Sequence, residues 1–511
     1  MSQVVVIGSG LGGLAAALRL QAAGHRVTVV EAAQRPGGRA GQLRLGEFAF
    51  DMGPTIITAP QLLTDLWAAA GRDLREYVDL KPLWPFYEIR FRDGSTFADG
   101  GRPNGHRNGS AAPDVAEAME AEVARFNPAD VAGYRRFMEA TGTLYGRAFE
   151  QLAHRPFHSL LGFARVVPEL LRLGAQTSVY DYVARFVEDE RLRVAFSFHP
   201  LFIGGDPFRA SAIYSIVPYL EQQGGVWYAE GGMYALVEAM ARLLGELGGQ
   251  LRCGCPVTEI VVREGRAAGV RTAEGTELPA DLVVSNADVT ATYLKLVPPS
   301  HRRPLAKARL PRLGYSMSCF LVYLGLDRQY QHLHRHTILM PHDYRAVVQA
   351  IFSGRLLEDD LALYVHAPTR TDPTLAPPGG ESVYALVPVP NLAGDLDWPA
   401  AGDRLRRRIL ALLAGELGME DVEKHIVVER RLTPLDFRDG LGSYLGAGFS
   451  IEPTLFQSSY LRPHNRSADL PGLYLVGAGT HPGAGLPGVL LSAEITANLI
   501  AEETRHALIQ T

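Results

Sequence analysis

The strongest constraint on the fold is a glycine-rich turn near the N-terminus that joins a strand pattern to a helix pattern. Residues 4–7 are a run of valine and isoleucine of the kind that a buried parallel strand needs. Gly8, Gly10 and Gly13 follow in the spacing G-x-G-x-x-G, and apolar residues then recur at helical intervals. A second β-branched strand ends at Glu31. This βαβ unit predicts a Rossmann-type α/β domain that binds a dinucleotide.

The glycine spacing suits a pyrophosphate. Free N–H groups and the positive end of the helix dipole stabilise phosphate charge, and only glycine permits so close an approach of the backbone. We therefore expect the pyrophosphate to lie on Gly8, Gly10, Leu11, Gly12 and Gly13. A carboxylate at Glu31 accepts hydrogen bonds from ribose hydroxyl groups and repels a 2′-phosphate, which disfavours NADP and leaves NAD or FAD.

Two further glycine-rich regions favour FAD over NAD. Residues 35–39 (RPGGR) follow the second strand directly, and residues 51–55 (DMGPT) come soon after. A ligand that extends past the first helix needs such a second glycine-dense, positively charged stretch. Residues 477–488 form another glycine loop in front of a helix, whose N-terminus can stabilise negative charge on a reduced isoalloxazine. An NAD dehydrogenase has no use for this distant element.

Composition excludes several classes of protein. Apolar residues make up 47% of the 511 residues and charged residues 21%, which excludes a disordered chain and allows a large core. With 50 Lys and Arg against 55 Asp and Glu, the net charge of −5 gives no reason to expect nucleic acid as a partner. No metal is expected either: His332, His334 and His336 alternate along a predicted strand, which we interpret as an exposed strand face.

The hydrophobic patterns divide the rest of the chain. Residues 100–113 are polar and rich in turn formers, which is typical of a surface loop, and residues 114–220 are mostly helical. A second α/β region begins near Trp227, and strands alternate with helices from about 291 to 463. Other predicted elements are helices at 233–247 and 489–502, strands at 250–253, 257–263, 282–284, 319–324, 384–389 and 473–476, and a hairpin at 267–278.

These motifs together resemble the bacterial-type phytoene desaturases, which are FAD-dependent carotenoid desaturases. The resemblance extends from Val4 to about Glu502, and residues 473–489 (LYLVGAGTHPGAGLPGV) are its most specific part. Residues 100–113 resemble a local insertion. Further segments similar to the family are 188–190, 195–199, 204–208, 225–227, 285–288, 363–368 and 462–466.

The resemblance implies a Rossmann-type FAD-binding domain of the flavin amine oxidase-like superfamily, a mixed β-sheet substrate domain and a helical, membrane-facing subdomain. It implies that the adenosine end of FAD binds to the first glycine motif and Glu31, and that the backbone of Val257 contacts the adenine. The other implied cofactor contacts are Gly38, Arg39, Gly53, Pro54, Thr55, Gly479, Gly488 and Val489. The expected division is an FAD-binding domain at 1–70, 226–290 and 464–511, a substrate domain at 71–113 and 291–463, and a helical subdomain at 114–225.

The implied activity is stepwise dehydrogenation of phytoene, a C40 polyene precursor, to lycopene. Removing two hydrogens from a C–C single bond needs a two-electron acceptor, which no side chain is, so the flavin must supply it. The simplest scheme combines hydride transfer from one carbon with proton loss from its neighbour, in a dry apolar channel. A quinone or oxygen is the expected final electron acceptor.

The sequence does not assign the residue that accepts the proton. Family members carry an Arg-Asp pair after a Pro-Phe, whereas Pro156 and Phe157 are followed here by residues 158–162 (HSLLG), which contain no carboxylate. The catalytic residue stays unassigned, and the candidates are Glu230, His199, His366, His481 and Asp206.

A long hydrocarbon substrate is nearly insoluble in water, which favours an enzyme that lies on a membrane surface. Residues 157–173 carry many bulky apolar side chains, with Arg165 and Arg172 placed for lipid headgroups, so we expect an interfacial segment; a core helix is the alternative. No apolar run is long enough to span a bilayer, and no basic residue precedes Arg19 as a signal peptide would require. We therefore expect a cytoplasmic protein that associates peripherally with the lipid bilayer.

Other activities stay open at this stage. The motifs mostly serve the flavin, so they do not separate phytoene desaturation from 3,4-desaturation, a C30 substrate, or a polyene isomerase or ketolase. A flavin amine oxidase is disfavoured because no aromatic pair can be identified as an amine cage. A flavin-free carrier of prenyl groups or lipids, like the Rab GDP-dissociation inhibitors, would have no use for residues 477–489.

Overall fold

The computed structural model describes residues 1–101, 115–157, 159–303 and 308–510. Most of the predicted surface loop at 100–113, together with His158, lies outside the described residues. Within them, the strands are β1 (Gln3–Ile7), β2 (Arg26–Val30), β3 (Gln42–Leu45), β4 (Phe48–Asp51), β5 (Leu80–Pro82), β6 (Tyr87–Arg90), β7 (Thr96–Asp99), β8 (Trp227–Ala229), β9 (Gln250–Arg252), β10 (Val257–Arg263), β11 (Arg266–Thr272), β12 (Glu277–Pro279), β13 (Leu282–Ser285), β14 (Ser318–Leu326), β15 (His336–Leu339), β16 (Leu363–His366), β17 (Glu381–Val389), β18 (Ile426–Leu432) and β19 (Leu473–Leu475).

Several helices begin where the sequence provides a capping side chain. Ser178 accepts a hydrogen bond from the N–H of Asp181, and Asp397 from that of Ala400, as N-cap side chains do. The α-helices of the described residues are α1 (Leu11–Ala22), α2 (Gln61–Ala69), α3 (Val115–Phe126), α4 (Val131–Leu144), α5 (Leu160–Arg172), α6 (Val179–Val183), α7 (Glu190–Ser197), α8 (Val217–Gly224), α9 (Met233–Glu246), α10 (Val289–Ala291), α11 (Tyr344–Phe352), α12 (Trp398–Leu417), α13 (Pro434–Asp439) and α14 (Leu486–Gln510).

A five-stranded parallel sheet forms the base of the molecule. Its order is β19-β13-β1-β2-β9, so strands from both ends of the chain belong to one sheet, with β13 between β1 and β19. Val4, Val6 and Val29 are fully buried under helices on one face of this sheet, whereas Val5 and Val283 pack against the antiparallel strands β10 and β11 on the other face. Helix α1 packs against α9 and α14, which places the C-terminal helix beside the first helix of the chain.

A seven-stranded mixed sheet forms the second layer. Its order is β18-β14-β17-β16-β15-β6-β7, and β15 runs parallel to β6 while the other neighbours are antiparallel. Strands β14 and β17 are buried along nearly their whole length, and α12 covers one face with Leu405, Ile409 and Leu413. The sheet therefore presents its other face to the space above the parallel sheet.

The stretch predicted to be mostly helical does fold into helices. Helices α3, α4, α6 and α7 pack with β6 and β7 around an aromatic cluster that includes Phe97, Phe137 and Phe196. Helix α5 continues through Pro168. Among the described residues, no helix combines the length and the apolar character needed to cross a bilayer.

Candidate cofactor and substrate site

One large cavity lies between the two sheets. Its volume is about 1250 Å³. The residues that follow β1, β2, β13 and β19 open into it, which is the carboxyl edge of the parallel sheet where ligands of α/β proteins bind. The opposite wall is formed by β14 to β18 and β6 of the mixed sheet.

The glycine motif leaves the start of α1 open to this cavity. Gly8, Gly10 and Gly12 line it, and α1 begins at Leu11 directly after the turn. A Cβ on Gly13 would lie 2.1 Å from the carbonyl oxygen of Gly8, so any other residue there would push the helix away from the strand. The turn therefore exposes helical N–H groups that suit a pyrophosphate.

Asn286 joins the N-terminal and C-terminal glycine loops. Its side-chain oxygen lies 2.9 Å from the position of a Cβ on Gly12 and 2.7 Å from that of a Cβ on Gly477. The Cβ position of Gly12 is also only 3.4 Å from Cβ of Val489. Side chains at these glycines would fill the space, so the two ends of the chain form one cradle that a backbone-bound dinucleotide fits.

Glu31 lies at the end of β2 on the cavity wall. Its Oε2 accepts hydrogen bonds from the N–H and the hydroxyl of Ser9, at 2.8 and 2.7 Å, and its Oε1 accepts one from the N–H of Ala33 at 2.9 Å. A carboxylate has about four lone-pair positions, so the buried carboxylate keeps acceptor capacity for a ribose hydroxyl. The ribose contact expected from the sequence stays a prediction, and this carboxylate is the group that would make it.

Arg39 supplies positive charge on the same wall. It donates from Nη2 to the hydroxyl of Ser443 at 2.7 Å, and burial lowers the pKa of its guanidinium. Gly53 packs directly behind it, because a Cβ there would lie 2.2 Å from the carbonyl oxygen of Arg39. A buried cation in this place suits a phosphate or a partly charged ring of the cofactor.

The start of α14 forms the far end of the cofactor cradle. Gly488 and Val489 line the cavity in the first turn of this helix. The guanidinium of Arg462, fully buried behind the loop, donates hydrogen bonds to the carbonyls of Ala478 and Thr480 at 2.7 and 3.1 Å. These contacts hold residues 477–488 in the shape that a ring system can rest on.

Most of the rest of the cavity wall is apolar. Side chains of the helical region and of the mixed sheet enclose it, so a hydrocarbon would lose its contact with water there. The members of this apolar wall are Phe149, Leu152, Phe157, Leu170, Phe198, Leu201, Phe202, Ile203, Ile213, Ile216, Leu220, Ile338, Met340, Leu363 and Phe449.

Most of the residues expected to bind the cofactor meet in this one cavity. Gly13 and Gly479 do not line the cavity. Gly13 packs against the turn after β1, and Gly479 packs against Val289, whose Cγ1 would lie 2.6 Å from a Cβ on that glycine. The expected residues that line the cavity are Gly8, Gly10, Leu11, Gly12, Glu31, Gly38, Arg39, Gly53, Pro54, Thr55, Val257, Gly488 and Val489.

The five candidates for the proton acceptor separate into two groups. His199 and His481 line the cavity. Glu230 is exposed and lies 3.4 Å from Lys81 Nζ, so it is a surface ion pair. Asp206 is buried outside the cavity lining, where it accepts a hydrogen bond from the N–H of Phe208. His366 is buried on the mixed sheet outside the lining.

The interpretation of His332, His334 and His336 as an exposed strand face is wrong. Strand β15 begins only at His336, which is buried and lies 2.7 Å from the hydroxyl of Tyr364. Burial lowers the pKa of His336 well below its usual range, with Arg335 adding to the effect. The Tyr364 hydroxyl also lies 2.7 Å from Oγ1 of Thr55, which links the sheet to the expected flavin loop.

Two polar residues of the cavity wall, Tyr87 and Glu221, were missed by the sequence analysis. Tyr87 on β6 donates a hydrogen bond from its hydroxyl to Glu221 Oε2 at 2.9 Å, and the same hydroxyl lies 2.7 Å from Nε2 of His199. All three residues line the cavity. No local spacing signals this group, because its members lie more than 20 residues apart in the chain and meet only through the fold.

Comparison with known proteins agrees with this geometry. A family model described as flavin containing amine oxidoreductase matches residues 11–501. A phytoene desaturase (lycopene-forming) of Pseudescherichia vulneris is 46% identical over 507 residues, covering 98% of this chain and 100% of that protein. A phytoene desaturase (neurosporene-forming) of Cereibacter sphaeroides is 45% identical over 508 residues, covering 98% of this chain and 95% of that protein.

Among solved structures, a putrescine oxidase redesigned in its cofactor binding has the same fold. Its TM-score is 0.63 at 16% sequence identity, and the match covers 98% of this chain and 99% of that structure. The predicted fold class, a flavin amine oxidase-like α/β fold, is confirmed, and so is FAD as the cofactor. The chain belongs to the flavin containing amine oxidoreductase family and, within it, to the bacterial-type phytoene desaturases.

Proposed function

We propose that this protein is an FAD-dependent desaturase that converts phytoene to lycopene by successive two-electron dehydrogenations at a membrane surface. The observation that carries the proposal is the continuity of the cavity. The cofactor cradle of residues 8–13, 53–55 and 477–489 opens directly into the apolar wall formed by residues such as Phe198 and Leu220. Sites for small ligands usually have volumes of roughly 300–1,000 Å³, so about 1250 Å³ suits a dinucleotide together with a long hydrocarbon.

The chain's own residues supply binding, orientation and a dry environment. FAD, when bound, supplies the two-electron acceptor that desaturation requires. The apolar wall excludes water and aligns an extended polyene beside the loop of Gly53 to Thr55. Tyr364 fixes this loop, because its hydroxyl lies 2.7 Å from Thr55 Oγ1.

The end product is part of the proposal. Relatives of similar identity carry the names lycopene-forming and neurosporene-forming, so the family alone leaves the number of desaturation steps open. We infer lycopene as the product, since the first of these relatives aligns over its full length. Family membership and the FAD cradle support an enzyme over a flavin-free carrier.

Product analysis tests this assignment. Purified protein is loaded with FAD and incubated with phytoene in liposomes, and the carotenoids are separated by chromatography. Lycopene is the expected final product. Accumulation of neurosporene or ζ-carotene would correct the number of steps, and unchanged phytoene with an FAD-loaded protein would refute the desaturase. Repeating the incubation without oxygen, with and without a quinone, identifies the final electron acceptor, for which we propose a quinone or oxygen.

We further propose that α5 and residues 455–461 dock on a lipid bilayer beside the cavity entrance. Leu161 is 70% exposed and Phe456 is 78% exposed, although both are large apolar residues. The ring of Phe163 stacks on Tyr460 with 5.7 Å between centroids, which joins the two segments into one surface. Leu170, on the inner side of α5, lines the cavity, so the surface lies next to the substrate space.

The charges of α5 suit an anionic lipid surface. Arg165 and Arg172 are both exposed on this helix and can reach headgroups while the apolar side chains enter the acyl region. Such a location gives a cytoplasmic enzyme access to a substrate that dissolves in the bilayer.

Liposome flotation tests the docking surface. Leu161→Glu and Phe456→Glu should each reduce the membrane-bound fraction, because a carboxylate in the acyl region is costly. Val427→Glu is the matched control, since Val427 is 56% exposed on β18 and does not line the cavity. Equal flotation of all three variants and the wild type would contradict the assignment.

A further inference from the structure

Four inner strands of the mixed sheet, β14 to β17, meet the open space of the cavity at one place. All residues of these strands are buried except Tyr364 and Leu386, which keep part of their surface exposed. Both of these residues line the cavity. The exposed patch of these strands therefore consists of one aromatic ring and one aliphatic side chain.

Strand register and side-chain alternation put the two residues of the patch side by side. Tyr364 on β16 lies directly opposite Leu386 on β17 in an antiparallel pair, and side chains in such pairs are about 5 Å apart at Cβ. The neighbouring residues Val365 and Ala385 belong to the core under α12. Successive residues of a strand point to opposite faces, so Tyr364 and Leu386 point away from α12 and toward the cavity.

Hydrogen bonds and ring contacts hold Tyr364 in place. Its hydroxyl lies 2.7 Å from Oγ1 of Thr55 and 2.7 Å from Nδ1 of His336. The ring of His336 is nearly parallel to the Tyr364 ring with 6.0 Å between centroids, and the ring of Tyr384 meets it edge-on at 5.9 Å. A ring fixed in this way loses little freedom when a ligand packs on it, which favours binding.

The rings of the patch are uncharged. Burial raises the pKa of Tyr364, so the phenol keeps its proton. Burial lowers the pKa of His336 well below its usual range, with Arg335 adding to the effect, so the imidazole stays neutral. Together with Leu386, these neutral rings form a surface that suits a hydrocarbon.

The patch lies against the loop on which the isoalloxazine is expected. Thr55 of this loop is bonded to the hydroxyl of Tyr364, and the hydroxyl of Tyr384 donates a hydrogen bond to the carbonyl of Gly53 at 3.3 Å. A segment of substrate that contacts the patch is therefore next to the segment that reacts.

An aromatic ring distinguishes a conjugated chain from a saturated one. Two π-systems attract each other in offset-stacked or edge-to-face contact, beyond the effect of the apolar area that they bury. A saturated chain has no π-system, and it loses the free rotation about its single bonds when it binds. The segment favoured on the patch is thus the conjugated part of a polyene.

We propose that Tyr364 and Leu386 form the subsite that holds the conjugated segment of the polyene, and that this contact favours successive dehydrogenations before release. The inference rests on the proposed desaturase function and deepens it. Each dehydrogenation lengthens the conjugated segment, so each product has more π-surface to place on the Tyr364 ring than its precursor had. A product that is held more tightly stays for the next step.

Two substitutions of Tyr364 and one matched control test the subsite. Tyr364→Leu removes the ring and the hydroxyl, whereas Tyr364→Phe removes only the hydroxyl and its link to Thr55. Tyr323→Leu is the control, because Tyr323 is a fully buried tyrosine of β14 that does not line the cavity. FAD absorbance and thermal melting confirm that each variant is loaded and folded.

The first measurement compares the binding of lycopene with that of lycopane, its fully saturated counterpart, and needs no turnover. Tagged, FAD-loaded protein is equilibrated with detergent micelles that contain both hydrocarbons and is captured, and the bound hydrocarbons are extracted and quantified by mass spectrometry. The ratio of bound lycopene to bound lycopane should be about 2- to 10-fold lower in Tyr364→Leu than in the wild type, which is the range that an aromatic contact adds. Tyr364→Phe and Tyr323→Leu should keep the wild-type ratio.

The second measurement is chromatography of the carotenoids formed from phytoene in liposomes. At the same extent of phytoene consumption, Tyr364→Leu should release a larger share of ζ-carotene and neurosporene than the wild type does. Tyr364→Phe should release a smaller share of these intermediates than Tyr364→Leu. An unchanged product pattern in Tyr364→Leu would overturn the effect on successive steps.

The binding measurement separates the subsite from the desaturase activity. A wild type without preference for lycopene, or an unchanged ratio in Tyr364→Leu, overturns the subsite. A ratio in Tyr364→Phe as low as in Tyr364→Leu also overturns it, because the link to Thr55 and not the ring would then matter. A wild type that prefers lycopene through Tyr364 but leaves phytoene unchanged refutes the desaturase and leaves the subsite standing.

A gain of aromatic surface tests the same subsite if Tyr364→Leu does not fold. Leu386→Phe adds a second ring to the patch, directly opposite Tyr364. This variant should raise the ratio of bound lycopene to bound lycopane. An unchanged or lower ratio in the folded variant overturns the subsite.

Discussion

Asp51 is a buried carboxyl group at the end of β4, and its ionisation links the stability of the protein to pH. Its Oδ2 accepts a hydrogen bond from the N–H of Met233 at 3.0 Å, which joins the start of α9 to the cofactor cradle. Burial raises the pKa of Asp51 from 3.8 to about 7, although this N–H bond opposes the shift. Asp51→Asn keeps the acceptor oxygen and removes the titration, so the variant isolates this one group.

The sign and size of the effect follow from the pKa. Between pH 4 and 7 the folded protein holds a proton on Asp51 that the unfolded chain has released, so the stability it provides is complete below pH 4 and is lost as the pH rises to 7. A shift of about 3 pKa units corresponds to about 4 kcal/mol. With an unfolding entropy of about 2.1 cal/mol/K per residue, this converts to about 4 °C in Tm for a chain of 511 residues.

Calorimetry of the FAD-loaded proteins between pH 4 and 8 measures this difference. Tm of Asp51→Asn minus Tm of the wild type should rise by about 4 °C up to pH 7 and then stay level. Asp73→Asn is the control, because Asp73 is exposed and Arg75 lowers its pKa instead of raising it. A difference that does not change with pH would refute the reasoning, since it would mean that Asp51 titrates alike in the folded and unfolded states.

Three further substitutions test the cofactor cradle. Gly13→Ala places a Cβ 2.1 Å from the carbonyl of Gly8, so it should cost about 1–3 kcal/mol of stability and loosen FAD, as measured by melting and by FAD retained on gel filtration. Glu31→Arg should weaken FAD retention through loss of the ribose acceptor and of the hydrogen bonds from Ser9, whereas unchanged affinity would contradict the placement of the adenosine end. Arg462→Met removes the hydrogen bonds to buried carbonyl groups, and each carbonyl left unpaired should cost about 1–3 kcal/mol of stability. The variant should therefore have a lower Tm and lose FAD faster.

Local spacing was enough to predict the first βαβ unit of the parallel sheet. The strand of residues 4–7, the glycine turn and the strand ending at Glu31 follow one another within a short stretch, and each element depends on its own side chains. The C-terminal loop was predicted for the same reason, because glycines in front of an apolar helix pattern have few other uses. Its contact with the first motif through Asn286 was not predicted, because no local pattern places residue 286 between the two loops.

The buried cluster of Tyr87, His199 and Glu221 could not be predicted in this way. His199 lies 112 residues after Tyr87, and Glu221 lies 134 residues after it, so their meeting depends on strand register and helix packing. The same limit explains the error at His336: alternation predicted an exposed strand, whereas β15 is an inner strand of the mixed sheet, between β6 and β16, and all four of its residues are buried. A single buried polar side chain looks identical to an exposed one in a sequence, and only its partners distinguish the two.

The two sides of the cavity wall differ in their electrostatics. The cofactor side collects positive potential from Arg39 and two helix N-termini, which suits phosphates and the negative charge that reduction brings. The far side is mostly apolar, apart from buried polar residues such as His199, Glu221 and His336. Desaturation removes a hydride from the substrate, so a polyene between these walls would meet an electron-attracting side and a side that excludes water.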